Sequence, residues 1–162
     1  MMERDGWKLQ QSSRADMDQL MKWFGDAEAV KVWGGPRFGY PFSTSSFLAD
    51  CHWRKMPTYS LRNPEDDLAA FGQFYERLGR INLARLVVHP AMRGQGIGKR
   101  LIEGLLEAGR EVYENRDYSL FVYRNNAPAL QCYRSMGFEI ANFPEGAPLQ
   151  DECFYLTLSV ST

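Results

Sequence analysis

Apolar residues recur at steps of three and four through residues 97–112. Ile97, Leu101, Leu105, Ala108 and Val112 fall on one face there, and Lys99, Arg100, Glu103, Glu107 and Arg110 decorate the other. This predicts a long amphipathic helix laid on a sheet. The apolar run Leu86, Val87 and Val88 before it reads as a strand, stopped by His89-Pro90 because proline removes a ladder donor. Between strand and helix lies the turn Arg93-Gly94-Gln95-Gly96-Ile97-Gly98.

The rest of the chain alternates between the two periods. Residues 7–10 alternate as a first strand; Ser13 and Asp16 form a capping box for a helix carrying Met17, Leu20, Met21 and Phe24 and ending near Gly25. A short helix is expected over 27–32, broken by Gly34-Gly35-Pro36, and another capped by Ser43 or Thr44 with Phe47 and Leu48 inside. Strands are expected over 56–61, 68–75 and 80–88, joined by the turn-forming segments 63–67 and 77–79 and hence antiparallel. After the long helix, residues 118–123 alternate and return as a strand parallel to 80–88. Asn125 or Asn126 caps a further helix that Gly137 closes, and strands at 138–140 and 153–160 complete the sheet. The pattern is α/β with a mixed sheet: antiparallel strands first, then one central parallel pair, with flanking helices.

With 162 residues, 44% of them hydrophobic, the chain suits a single domain over 1–162. Its 19 basic and 20 acidic residues argue against nucleic acid as the main partner, and no apolar run is long enough for a signal peptide or a membrane span. Cys51, Cys132 and Cys153 lie far apart without metal-ligand spacing, so reduced thiols, a cytoplasmic location and no metal are expected. The aromatics Trp33, Phe38, Tyr40, Phe42 and Trp53 are either core pieces beneath a loop or the walls of a substrate site. The acidic run Glu65, Asp66 and Asp67 is expected to be a solvated turn.

The glycine-rich turn is where chemistry is expected. A helix N-terminus presents backbone N–H groups without intrahelical partners and a partial positive charge, which together attract phosphate. Glycines at 94, 96 and 98 would let a pyrophosphate approach, and Arg93, Lys99 and Arg100 add charge. A strand-to-helix turn that holds nothing fits the spacing equally well. A P-loop does not, since no Gly-Lys-Ser/Thr follows, and a dinucleotide fingerprint is not convincingly present.

The segment from Val88 through Gly98 resembles motif A of the GNAT superfamily of N-acetyltransferases, [Q/R]-x-x-G-x-[G/A], with Arg93, Gly96 and Gly98 at the fixed positions. Downstream, Asn126-Ala127-Pro128-Ala129-Leu130-Gln131-Cys132-Tyr133-Arg134-Ser135-Met136-Gly137-Phe138 is similar to the family's motif B. The resemblance covers about the last half of the chain and implies a GNAT fold with a splayed central strand pair. It also implies acetyl-CoA as cosubstrate and direct acetyl transfer to a primary amine of a small molecule, peptide or protein.

Carried over residue by residue, Leu86, Val87 and Val88 would hold the pantetheine arm, with the N–H of Val88 or Val87 polarising the thioester. Arg93, Gly94, Gln95, Gly96, Ile97, Gly98 and Lys99 would hold the pyrophosphate. Asn126 would contact the CoA arm, and Tyr133 would be the acid that meets the departing sulfur, with Arg134 near the phosphates. Many relatives carry a glutamate base on the strand before motif A; here that place holds Asn82, which cannot hold a proton near neutral pH, and Glu76 is the substitute. His89 and His52 read as loop residues, and Arg85 as a surface or phosphate contact. Without a His/Asp partner at recognisable spacing, Cys132 does not read as a covalent nucleophile. The rivals are a non-catalytic acyl-CoA sensor, favoured by the missing base, and a structural domain with an empty turn. Exposed edge strands in such a sheet leave room for a homodimer.

Overall fold

The computed structural model describes residues 2–114 and 117–159. Their strands form one eight-stranded sheet in the order β1-β2-β3-β4-β5-β6-β8-β7. The first strands are β1 (Met2–Arg4), β2 (Trp7–Gln11), β3 (Thr58–Arg62), β4 (Leu68–Arg77) and β5 (Arg80–Val88), each antiparallel to the next. Then β5 pairs in parallel with β6 (Asp117–Tyr123), the expected central pair. The sheet closes with β7 (Glu139–Ala141) and β8 (Cys153–Leu158), where β8 lies between β6 and β7. Val160, the end of the last expected strand, lies outside the described residues.

Helices α1 (Arg14–Met21), α2 (Ala27–Gly34) and α3 (Thr44–Asp50) cover one face, and α4 (Ile97–Val112) and α5 (Ala127–Ser135) the other. The expected caps are in place: Ser13 and Ser43 each close a capping box, and Asn126 caps α5 by accepting from Ala129 N–H. Under α4 the core joins Ile97, Leu101, Leu105 and Ala108 to Leu9, Phe74, Ile81, Leu83 and Leu120. A second core under α1 to α3 joins Met17, Leu20, Phe24, Val30, Phe38, Phe47 and Phe71.

Several expectations change. The hairpin β1-β2, turning at Asp5 and Gly6 with φ of 56° and 84°, was not foreseen, although Asp-Gly is a strong hairpin dipeptide. Strand β3 starts two residues late, at Thr58, because Pro57 has no N–H to give the ladder. Val112 is 47% exposed, while Ile102 and Gly109 are buried, since the buried strip on α4 is wider than one heptad seam. Arg100 leaves the turn altogether, stacking on Trp7 and lying 3.7 Å from Asp5. The acidic run is an exposed turn held by Asn63 Oδ1, which accepts from Glu65 and Asp67 N–H.

Candidate active site

The site begins where two strands part. Parallel pairing of β5 with β6 covers Arg80 with Asp117, Ile81 with Tyr118 and Asn82 with Ser119. At that last pair the Ser119 hydroxyl donates to Asn82 Oδ1 at 3.0 Å, both side chains buried. Beyond it β5 follows β4 alone. The register of β4 against β5 shifts between Phe71 and Gln73, so Arg85 and Leu86 stand opposite Gly72 alone. Arg85 adopts φ of 50°, the strained left-handed conformation of a bulge that bends the strand away.

The bend exposes backbone groups of β5 to the gap. His89 N–H donates to Ala69 O of β4 at 2.8 Å, and groups alternate sides along an extended strand. The N–H of Val88 therefore faces the gap and that of Val87 faces β4. Arg93 Nε donates to Val88 O at 3.4 Å, on the same side.

After the short helical turn Pro90–Met92, Gly94 and Gly96 take φ of 82° and 76°. Gly96 is the N-cap of α4, with no side-chain cap, and a Cβ added at Gly94 or Gly96 would meet nothing within 4 Å. The first turn of α4 thus begins beside clear space, with a left-handed backbone that glycine tolerates best and no side chain capping its amides, the polarity that attracts an anion. Lys99 is exposed beside it.

Tyr133 projects from α5, half-buried and edge-on to Phe138 at 6.3 Å between ring centres. Burial, and secondarily the neighbouring Cys132, push its phenol up to about 12. The hydroxyl keeps its proton across any physiological pH.

On the α1 to α3 face the gap opens into a cleft of about 490 Å³. Trp33 to Pro36 at the C-terminal end of α2 and just beyond it, Tyr75 and Arg77 of β4, Asn82 to Arg85 of β5, Phe121 and Tyr123 of β6, and the segment ending in Cys153 line it. Trp33 both stacks on Phe47 in the second core and donates from Nε1 to Arg85 O at 2.8 Å, so it serves as core piece and wall together. Phe38 and Phe42 belong to that core and Tyr40 is 41% exposed.

Arg85, expected as a surface or phosphate contact, lines the cleft. Its Nη1 donates to Gln73 Oε1 at 3.0 Å, and Gln73 in turn donates to Cys51 O and Thr58 Oγ1. The signal in the sequence is an arginine between the apolar Ala84 and Leu86 in the second half of β5. His52, also set aside, lines the cleft.

Glu76 does not reach the cleft. It stands opposite Ile81, whose side chain packs toward Gly109 of α4, whereas its neighbours Tyr75 and Arg77 point the other way. Asn82 does line the cleft, but its carbonyl oxygen is committed to Ser119. Among the described residues no aspartate or glutamate lines the cleft, and no cluster of His, Cys, Asp or Glu could hold a metal.

Residues 18–138 match the model of the Acetyltransferase (GNAT) family. The spermine/spermidine N(1)-acetyltransferase of Bacillus subtilis (strain 168) is 27% identical over 111 residues, 64% of this chain and 73% of that protein. The mycothiol acetyltransferase of Corynebacterium aurimucosum is 29% identical over 140 residues, which are 86% of this chain but 38% of that protein. Among solved structures, the spermidine N-acetyltransferase from Vibrio cholerae in complex with CoA and spermine superposes with a TM-score of 0.73 at 15% identity, covering 96% of each chain. At that identity the likeness speaks for the fold.

Proposed function

The chain belongs to the GNAT family of acetyltransferases, enzymes that move the acetyl group of acetyl-CoA to an amine, and from that premise we propose how its residues divide the work. The observation that carries the proposal is that one stretch of chain links three features: the cleft lined by Asn82 to Arg85, the edge of β5 beyond Asn82 that β6 does not pair, and the open turn at Gly94 and Gly96 that follows Val88. Acetyl-CoA supplies an activated acyl group as a thioester.

In this assignment the backbone amides from Gly94 to Lys99, helped by the Arg93 and Lys99 charges, hold the pyrophosphate at the N-terminus of α4. Leu86 to Val88 replace the missing strand partner with the pantetheine arm, and Asn126 Nδ2 is free of the cap its Oδ1 makes, so it donates to that arm. Val88 N–H donates to the carbonyl oxygen as negative charge grows there.

Tyr133 hydrogen-bonds the departing sulfur. A phenol held near 12 is a weaker acid than an ordinary thiol, so its main service is to steady the thiolate as a donor rather than to protonate it fully. Asn82 fixes the point of splay and acts through position, not as a base. With no carboxylate among the described lining residues, the amine proton leaves through water.

Cys51, Cys132 and Cys153 are free thiols, which supports a cytoplasmic location, and a homodimer through edge strand β1 or β7 is the assembly that sedimentation would reveal. Calorimetry with acetyl-CoA tests the core of the proposal. Micromolar binding by the native chain, lost in a folded Gly96→Glu variant that fills the cradle with a side chain and a negative charge, is the expected result. Absence of binding by the native chain would overturn it.

A further inference from the structure

The lining of the cleft holds buried donors without acceptors. Arg85 Nε is buried with no hydrogen-bond partner, although Nη1 of the same group is satisfied by Gln73. Across the gap the Tyr123 hydroxyl is buried and equally unpaired. Arg77 brings a second guanidinium to the lining, its Cζ 4.9 Å from the centre of the Phe121 ring. Buried donors left without acceptors are costly, and a guanidinium fork is shaped for two carboxylate oxygens. Glu28 and Glu152 lie near enough to influence Tyr123, but both are exposed and outside the lining. The rest of the wall includes the apolar and aromatic side chains of Trp33, Met56 and Phe121, with His52, Tyr75 and Asn82 as its other polar members.

We infer that the acceptor is a small amine that also carries a carboxylate, an amino acid with an apolar or aromatic side chain. Its carboxylate takes the orphaned donors of Arg85 and Tyr123 with Arg77 alongside, and its side chain lies on the aromatic wall. This rests on the acetyl-transfer reading and names the substrate class of the same site. A cleft of about 490 Å³ suits a ligand of that size beside the thioester. A polyamine would instead set its ammonium groups against two guanidiniums with no carboxylate lining the cleft to receive them. The chemistry balances simply: the amine nitrogen forms the amide bond, the C–S bond breaks, CoA leaves as the thiol, and the carboxylate is unchanged.

The test follows CoA thiol release from acetyl-CoA with matched pairs, L-phenylalanine against L-phenylalaninamide and L-methionine against L-methioninamide, and with spermine. Each acid should exceed its amide at least tenfold in kcat/KM, with spermine below both. The amide has the less basic amine, so amine reactivity cannot produce that preference. Arg85→Gln and Arg77→Gln should each cut kcat/KM for the acid tenfold or more, through KM, while the amide changes less than threefold and the acetyl-CoA Kd stays within threefold. Arg77→Gln sits outside the bulge and gives an answer even where Arg85→Gln disturbs folding. Equal or better use of the amide or of spermine overturns the inference. So does the absence of both turnover and calorimetric acid binding in protein that does bind acetyl-CoA. Failure to bind acetyl-CoA would remove the acetyl-transfer reading itself.

Discussion

Tyr133 and Cys51 carry raised pKa values for the same reason, burial that disfavours the anion, but the consequences differ. In the proposed assignment Tyr133 meets the departing thiolate, and its proton is used there. Tyr133→Phe should lower kcat about 10- to 100-fold with little change in the KM for acetyl-CoA, measured by thiol release. Because the phenol is held near 12, the native activity should show no alkaline limb from this group at any pH below about 11. Cys51 is fully buried, with its thiol pushed up from 9.0 to about 12. The unfolded chain releases that proton first, so the Cys51 contribution to stability is complete below about pH 9 and fades as pH rises toward 12. Urea midpoints at pH 8 and pH 10 should reveal the fall, and Cys51→Ala should flatten it.

The gap between β5 and β6 is a property of elements. Asn82 and Ser119 mark the last shared rung, and the Arg85 bulge turns the strand away from β6. Asn82→Ala would leave the buried Ser119 hydroxyl without its acceptor and should cost about 1–3 kcal/mol in urea unfolding, with weaker acetyl-CoA binding as the strands re-zip or drift. At the other end of the site, Gly96→Ala adds left-handed strain of about 1 kcal/mol at φ of 76° but no charge. It should weaken acetyl-CoA binding far less than Gly96→Glu, which calorimetry on both variants separates. The turn and its helix were legible in the sequence because glycine spacing and the three-to-four apolar step are local. The bulge was not: a left-handed arginine is stabilised by Gln73 and Trp33, distant residues that no spacing rule connects.

Across the whole molecule, α1 is tied to the sheet by an ion pair between Arg62 of β3 and Asp16, whose carboxylate is fully buried and also closes the Ser13 capping box. Removing one partner of a buried pair strands the other, so Arg62→Ala should destabilise the fold by about 3 kcal/mol or more. Arg4 bridges Glu103 and Glu107 on α4 with all three side chains exposed, and Arg4→Ala should cost less than about 1 kcal/mol. Comparing the two in urea measures how far the α1 face, and with it the cleft, depends on one internal contact.

What the sequence determined by itself is whatever its near neighbours enforce: the capped helices, the strand-turn-helix from β5 into α4, and the antiparallel run before the parallel pair. Parity along β4, which runs on to Arg77, puts Glu76 on the side of Gly72 and Phe74. It left open which side the long helix would cover, and so which side would hold the cleft. That choice, and the meeting of Arg77, Arg85 and Tyr123 from three different strands, belongs to the tertiary structure. Parity along a strand is local, but the burial of one face and the desolvation of donors across a gap arise only when distant elements pack.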